Sequence, residues 1–392
     1  MTTTIKEEVL VGNLINGEVK YHGGAKLPIY NPAKGTISKH LEIASKVTVD
    51  EAIISAQKAF PAWRNQPAIK RARIMFRFKE LLEQNKDKIC QLIGEEHGKI
   101  PHDAMGELQR GIENVEYACT APEVLKGEFS KNVGPSIDCW SEHQPLGIVA
   151  GITPFNFPAM IPLWMYPLAI VCGNCFILKP SERDPSSTLF IAELLYESGL
   201  PKGVLNLVNG DKEVVNLLLE DKRIEAISFV GSTPIAKYIY TTATANGKRC
   251  QALGGAKNHA IVMPDADVDN AVMQLMGAAF GSSGERCMAL SVAVVVGDAT
   301  ADILIAKMKK KMESLKVGDY SDNTNDFGPL ITKEHKEKVT SYIDSAEKQG
   351  ATIAVDGRNI VVKGCEGGYF VGGTLIDNVT SNMKSYQEEI FG

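Results

Sequence analysis

The chain lacks an unbroken apolar run of membrane-spanning length, an excess of positive charge, a paired-cysteine framework and histidines at metal-ligand spacing. Its least polar part, residues 145–178, carries no charged side chain, but Pro145, Pro154, Pro158, Pro162 and Pro167 cut it into short pieces. That pattern reads as buried strand and helix, and no membrane association is expected. A net charge of −5 excludes the basic footprint of a nucleic-acid binder. Eight cysteines are scattered singly, as in a reducing compartment. Cys172 and Cys175 have redox-motif spacing, yet no second pair follows for zinc, and packing between a buried helix and strand is the simpler reading. Without ligand spacing among the seven histidines, no metal is expected. Met1 to Leu10 shows neither a secretory core nor an Arg-rich transit pattern, so the expected location is cytoplasmic.

What is present is a chain of 392 residues, 44% hydrophobic and 23% charged, long enough for two or three domains. Residues 11–44 read as short strands and turns. Helical patterns follow at 49–63, opened by a Thr48/Glu51 capping box, at 67–97 and at 103–125. Residues 128–146 turn polar and irregular around Trp140, which suits either a hairpin arm meeting another subunit or a surface loop. Strands at 146–152, 175–179, 204–208, 226–230 and 249–253 then alternate with helices at 158–171, 186–198, 212–220 and 234–245. This is the pattern of a parallel sheet covered on both faces. Beyond Gly254 a second α/β unit follows: strand 259–263, helix 268–280, strand 288–296, helices 301–315 and 333–348, and strands near 351–355 and 369–377.

Four stretches carry candidate chemistry. Gly281-Ser282-Ser283-Gly284-Glu285-Arg286-Cys287 hands a cysteine, beside a guanidinium that favours its thiolate, to an apolar run; alone it also fits a buried inert cysteine. Lys179-Pro180-Ser181-Glu182 closes a strand of the sheet, where ligands of open α/β folds bind, and an acid there favours NAD over its phosphorylated relative. Phe229-Val230-Gly231-Ser232-Thr233-Pro234 is strand, turn and helix start, suited to a diphosphate though not a G-x-G-x-x-G. In Thr153-Pro154-Phe155-Asn156-Phe157-Pro158 an asparagine can aim its amide at an oxyanion or cap the next helix.

These stretches, with Leu253-Gly254-Gly255 and Glu388-Glu389-Ile390-Phe391-Gly392, resemble the aldehyde dehydrogenase superfamily along nearly the whole chain. The resemblance implies an α/β fold: a Rossmann-type NAD-binding domain from 1–127 and 146–255, an oligomerisation arm at 128–145, and an α/β catalytic domain at 256–392. It further implies Cys287 as nucleophile and Asn156 with the Cys287 backbone N–H as oxyanion hole. Phe155, Lys179, Glu182, Arg183, Gly231, Ser232, Glu389 and Phe391 become the NAD-binding residues. Where the family commonly has a further glycine near the diphosphate, this chain has Ala236.

A larger departure lies before Leu253-Gly254-Gly255. Hydrolytic members carry a glutamate there that activates water; this chain has Ala252, and a methyl group is no base. A thiol needs less help than water. The chain is thus most similar to the CoA-acylating branch that oxidises methylmalonate or malonate semialdehyde, with coenzyme A as co-substrate. That branch implies Arg110 and Arg286 as partners of the substrate carboxylate. Hydrolytic aldehyde oxidation and a non-catalytic nucleotide-binding protein are the alternatives. The family pattern runs on past Gly392, so the sequence reads as shortened, the catalytic domain as incomplete, and a homo-oligomer, dimer or tetramer, is expected of the complete chain.

Overall fold

The computed structural model describes residues 9–392, which form two compact units. The first comprises the chain up to Ile29, Lys39–Leu92 and Met105–Gly254; the second comprises Tyr30–Ser38, Ile93–Ala104 and Gly255–Gly392.

The first unit is built on a seven-stranded sheet in the order Arg249–Leu253, Ile224–Val230, Ile148–Ile152, Cys175–Lys179, Leu205–Leu207, Asn13–Ile15, Glu18–Lys20. The first five are mutually parallel; the N-terminal hairpin of Asn13–Ile15 and Glu18–Lys20 adds antiparallel through Leu207↔Leu14. Ile148–Ile152 and Cys175–Lys179 are wholly buried, so their near-continuous apolar sequence is what a doubly covered sheet requires. The strand order reverses beside Ile148–Ile152, whose neighbours are the next strand in sequence on one side and Ile224–Val230 on the other. Such a reversal opens a crevice at the carboxyl ends of the strands.

The uncharged stretch resolves into strand Ile148–Ile152, helix Met160–Val171 and strand Cys175–Lys179. Among the described residues no helix is long and apolar enough to cross a membrane. The helix C-terminus is held by other side chains: Trp63 donates Nε1 to Ile170 O at 2.9 Å, and Arg71 donates Nε to Val171 O at 2.7 Å. At its N-terminus the buried Glu107 carboxylate accepts from the N–H groups of Ala159 and Met160 at 2.7 and 3.1 Å. A carboxylate borrowed from helix Pro101–Ala118 therefore does the work of a cap.

Several local expectations shift. Helix Lys46–Arg64 begins a turn early, capped by Ser45, which accepts from Thr48 N, so Thr48 is inside the helix. The pattern over 67–97 divides at Asn85 into Ala68–Gln84 and Lys86–His97, Asn85 returning its amide to Leu81 O. The segment around Trp140 is a hairpin, Phe129–Gly134 with Ile137–Trp140, turning at Pro135 and Ser136, with positive φ at Ser136 and, within the first strand, at Asn132.

In the second unit, His259–Val262 pairs in parallel with Val292–Val295, packed by helices Val268–Phe280 and Asp298–Met312. Leu304, Met308 and Met312 are that last helix's buried stripe, and Lys309, Lys310 and Lys311 lie on its wet face. Residues 30–38 and 93–104, expected with the first unit, belong here. Tyr369 donates its N–H to Pro32 O at 2.9 Å, and Gly98 packs so near Pro329 that a Cβ would stand 2.6 Å from its ring.

Replacing Glu107 by Ala should strip two buried N–H groups of their acceptor and cost about 2–4 kcal/mol, read as a lowered melting temperature. Glu107→Gln, which keeps a carbonyl acceptor, should lose less, and equal melting of E107A and the parent would contradict the capping role.

Candidate active site

Parallel register brings the candidate residues of the first unit to one edge of the sheet. Leu253 pairs with Val230, Phe229 with Ile152, and Ile152 with Lys179, so the turns after these strands emerge side by side. Lys179 is buried and its Nζ lies 2.9 Å from Glu182 Oε2. Burial pushes the Glu182 carboxyl up, but the charge and hydrogen bond of Lys179 outweigh it, leaving Glu182 below its usual range. Arg183 is exposed, its guanidinium 5.4 Å from the centroid of the Phe155 ring. Asn156 is only 2% exposed, in the turn that Thr153 starts by donating its N–H to Lys179 O at 3.1 Å.

Helix Thr233–Ala245 opens after Ser232, whose side chain makes no capping bond, and its first turn holds Pro234 and no acid. Such a helix end attracts an anion. Gly231 is needed because a Cβ there would meet the Phe229 ring at 2.5 Å. Ala252 is half-buried on the edge strand, and Gln251 beside it makes a long 3.5 Å bond with Ser228. Arg110, on helix Pro101–Ala118, has a side chain 71% exposed and paired with Glu113 at 3.1 Å.

In the second unit Cys287 does not begin a strand. Gly281–Gly284 forms a single tight turn, Cys287 and Met288 form the next, and the strand starts only at Val292. The left-handed conformations expected of glycine fall on Ser282 and Ser283, at φ 52° and 56°, as well as on Gly284. Polar partners hold the two serines there: Ser282 N donates to Asp103 Oδ2 at 2.7 Å and Ser283 Oγ to Gly328 O at 2.8 Å. Gly281, at φ −53°, is small for another reason, since a Cβ would stand 2.7 Å from Arg286 Nη1.

That contact reports where Arg286 goes. Its Nη1 reaches back towards Gly277 O at 3.4 Å, the end of helix Val268–Phe280. Consequently burial governs the half-buried Cys287 thiol, pushing it up, with the Glu389 carboxylate adding to the rise. Backbone N–H groups of Cys287 and Met288 oppose it, and the Arg286 guanidinium opposes it least. The Cys287 thiol is thus held above its ordinary value, against the activation read from sequence.

Glu389 is drawn against Gly255 and accepts from Ala256 N at 3.2 Å; a Cβ on Gly255 would collide with its carboxylate. Phe391 gives its carbonyl to His335 Nε2 at 2.7 Å, and that ring nitrogen also lies 3.5 Å from the buried Glu285. Glu285 accepts from Ile331 N at 3.1 Å and stands 3.6 Å from the buried His97. Despite the nearby carboxylate, burial and then the charge of Lys99 hold His97 well below its ordinary value, so it is a neutral partner. Glu285, His335, Glu107 and Asn258, whose amide bonds Cys287 O and Ala289 O, escaped the sequence reading. Of these, Glu285 alone stands within a stretch singled out above, Gly281-Ser282-Ser283-Gly284-Glu285-Arg286-Cys287. No group of three or more potential metal ligands occurs among the described residues.

The raised thiol has a measurable consequence. Alkylation of Cys287 by iodoacetamide should still be climbing with pH where an ordinary thiol, with a pKa of about 8.5, has levelled off. A plateau near neutral pH in the protein without ligands would contradict it.

A sequence profile of the aldehyde dehydrogenase family matches residues 19–392. The chain is 62% identical over 380 residues to a malonate-semialdehyde dehydrogenase of Pseudomonas aeruginosa, covering 97% of this chain and 76% of that protein. It superposes with a TM-score of 0.97 on the crystal structure of methylmalonate-semialdehyde dehydrogenase from Oceanimonas doudoroffii, at 71% identity, covering 98% of this chain and 79% of that one. A Sinorhizobium meliloti protein named for the same activity and solved with NAD gives the same TM-score of 0.97 at 49% identity, with 98% and 79% covered. The chain belongs to the aldehyde dehydrogenase family.

Proposed function

We propose that this chain oxidises a short carboxylated semialdehyde, malonate or methylmalonate semialdehyde, with NAD, through a thioester on Cys287 that coenzyme A releases. The observation that carries the reading is Ala252: where a hydrolytic member holds a general base, this chain has a methyl group beside a bare strand edge. The names of the Pseudomonas aeruginosa and Oceanimonas doudoroffii relatives agree with that substrate class.

The residues present fit NAD. The Lys179–Glu182 pair offers a charged acceptor to ribose hydroxyls, and the acid-free start of helix Thr233–Ala245 offers N–H donors to a diphosphate. Gly231 keeps that approach open, and Glu389, fixed at Gly255-Ala256, is the acceptor for the second ribose. Phe155 and Arg183 flank the same sheet edge, while Phe391 follows Glu389 by two residues in the second unit. When bound, NAD supplies the hydride acceptor.

The chain does the rest. Loss of the Cys287 proton gives the thiolate that attacks the aldehyde carbon. Its own backbone N–H and the Asn156 amide are the two donors for the oxyanion, a role typically worth about 3 kcal/mol per donor. Arg286 and Arg110 are the guanidinium partners of the substrate carboxylate, for which planar bidentate geometry is suited. After oxidation the β-carboxylate leaves as CO2, its electron pair taking a proton at the neighbouring carbon. The CoA thiolate then displaces Cys287, giving acetyl-CoA or propionyl-CoA.

The exposed hairpin Phe129–Gly134/Ile137–Trp140 is the surface for a second copy. Trp140 is 71% exposed and Phe129 65%, and a lone two-stranded hairpin of this kind is marginal without a partner. Trp140→Glu should shift the protein to a smaller species in analytical ultracentrifugation; an unchanged sedimentation coefficient counts against this surface.

Rapid mixing of protein, NAD and malonate semialdehyde, with CoA withheld, should give a single-turnover burst of NADH that becomes steady only when CoA is added, and Cys287→Ala should abolish it. Steady NADH production before CoA would mean that water is activated and the chain is a hydrolytic dehydrogenase.

A further inference from the structure

We propose that Asn258 is a positioning residue for the nucleophile, an inference that rests on Cys287 being the attacking group. The turn carrying Cys287 is closed by a single backbone bond, from Ala289 N–H to Arg286 C=O at 3.1 Å. That bond fixes the peptide plane between Arg286 and Cys287, and the Cys287 N–H lies in the same plane. The next plane, between Cys287 and Met288, is held from outside the turn. Asn258 Nδ2 donates to Cys287 O at 2.8 Å and to Ala289 O at 3.0 Å. A side-chain amide nitrogen carries two hydrogens, so both bonds form together and leave the amide little freedom to turn.

Asn258 is itself well anchored. Its carbonyl accepts from Val292 N at 3.2 Å, and the next residue, His259, opens a strand in register with Val292. Lys257 on its other side donates Nζ to Ser385 O and Glu388 O at 2.6 and 2.9 Å. The same three residues thereby tie the nucleophile turn to the segment that carries Glu389.

With both flanking planes held, the backbone rotations of Cys287 are set, and so is the direction of its Cα–Cβ bond relative to its own N–H. Attack by Sγ and donation by N–H to the developing oxyanion must occur on one carbon atom at once. Fixing their relative direction before substrate arrives removes orientation cost from the acylation step. Asn258 touches neither substrate nor cofactor in this account. Its effect belongs in the rate of acylation and not in affinity for NAD.

The test uses the full chain with Asn258→Ala and the near-isosteric Asn258→Asp, which keeps the shape and removes the donor. The NADH burst with CoA withheld reads acylation, its amplitude reads the folded competent fraction, and thermal melting is recorded alongside. The expected result is a burst rate about 10- to 100-fold slower in both variants, with amplitude and KM for NAD close to the parent's. A burst at the parent's rate in either folded variant overturns the proposal. So does a reduced amplitude at unchanged rate, the mark of a purely structural clamp whose loss leaves part of the population unfolded. No burst in the parent chain overturns the role of Cys287 itself, and this inference with it.

Discussion

Parallel hydrogen bonding between Arg249–Leu253, Ile224–Val230, Ile148–Ile152 and Cys175–Lys179 is the constraint on which the first unit depends. Because the four strands run the same way and stay in register at their carboxyl ends, segments far apart in sequence leave the sheet together. The turns beginning at Thr153, Pro180, Gly231 and Gly254 are brought to one edge by strand pairing alone. A slip of one residue in any pair would reverse its side chains between faces and displace the turn that follows. Burial of Ile148–Ile152 and Cys175–Lys179 on both faces makes such a slip costly.

The second unit solves a different problem, that of holding an irregular stretch still. Between Phe280 and Val292 the chain has no run of regular hydrogen bonding longer than a turn, and two consecutive serines are left-handed. Strained backbone of this kind persists only where neighbours over-determine it. Here they are Asp103, Gly328 and Asn258, each bonding a different part of the stretch. Behind it, Glu285 gathers Ile331, His97 and His335, and through His335 the Phe391 carbonyl. Buried polar groups usually serve by being satisfied; these also bring the nucleophile turn and the Glu389–Phe391 segment into one network.

The resting thiol fits that economy. Half-buried, close to Glu389, with its arginine neighbour turned away, Cys287 is pushed towards its neutral form. A protonated thiol is a poor nucleophile and a poor target for stray oxidants. Activation is then a consequence of bringing positive charge or removing negative charge near the sulfur.

Much of this was legible in the sequence, because periodicity and turn chemistry are local. The alternation of strand and helix from 146 to 253, the helices at 268–280 and 333–348, and Lys179 at a strand end and Ser232 at a helix start all follow from residues within a few positions of one another. Ala252 was equally legible, since a missing base is a fact of composition at one position. The tertiary structure alone decided what depends on distant partners. Glu107 caps a helix 52 positions away in sequence, and residues 30–38 and 93–104 join the second unit through contacts with Gly328, Pro329 and Tyr369. The charge state of Cys287 belongs to the same class. Adjacency in sequence predicted help from Arg286, but a guanidinium acts on a thiol only through the distance and the medium between them. Both were set by folding, which turned Arg286 towards Gly277 and half-buried the sulfur.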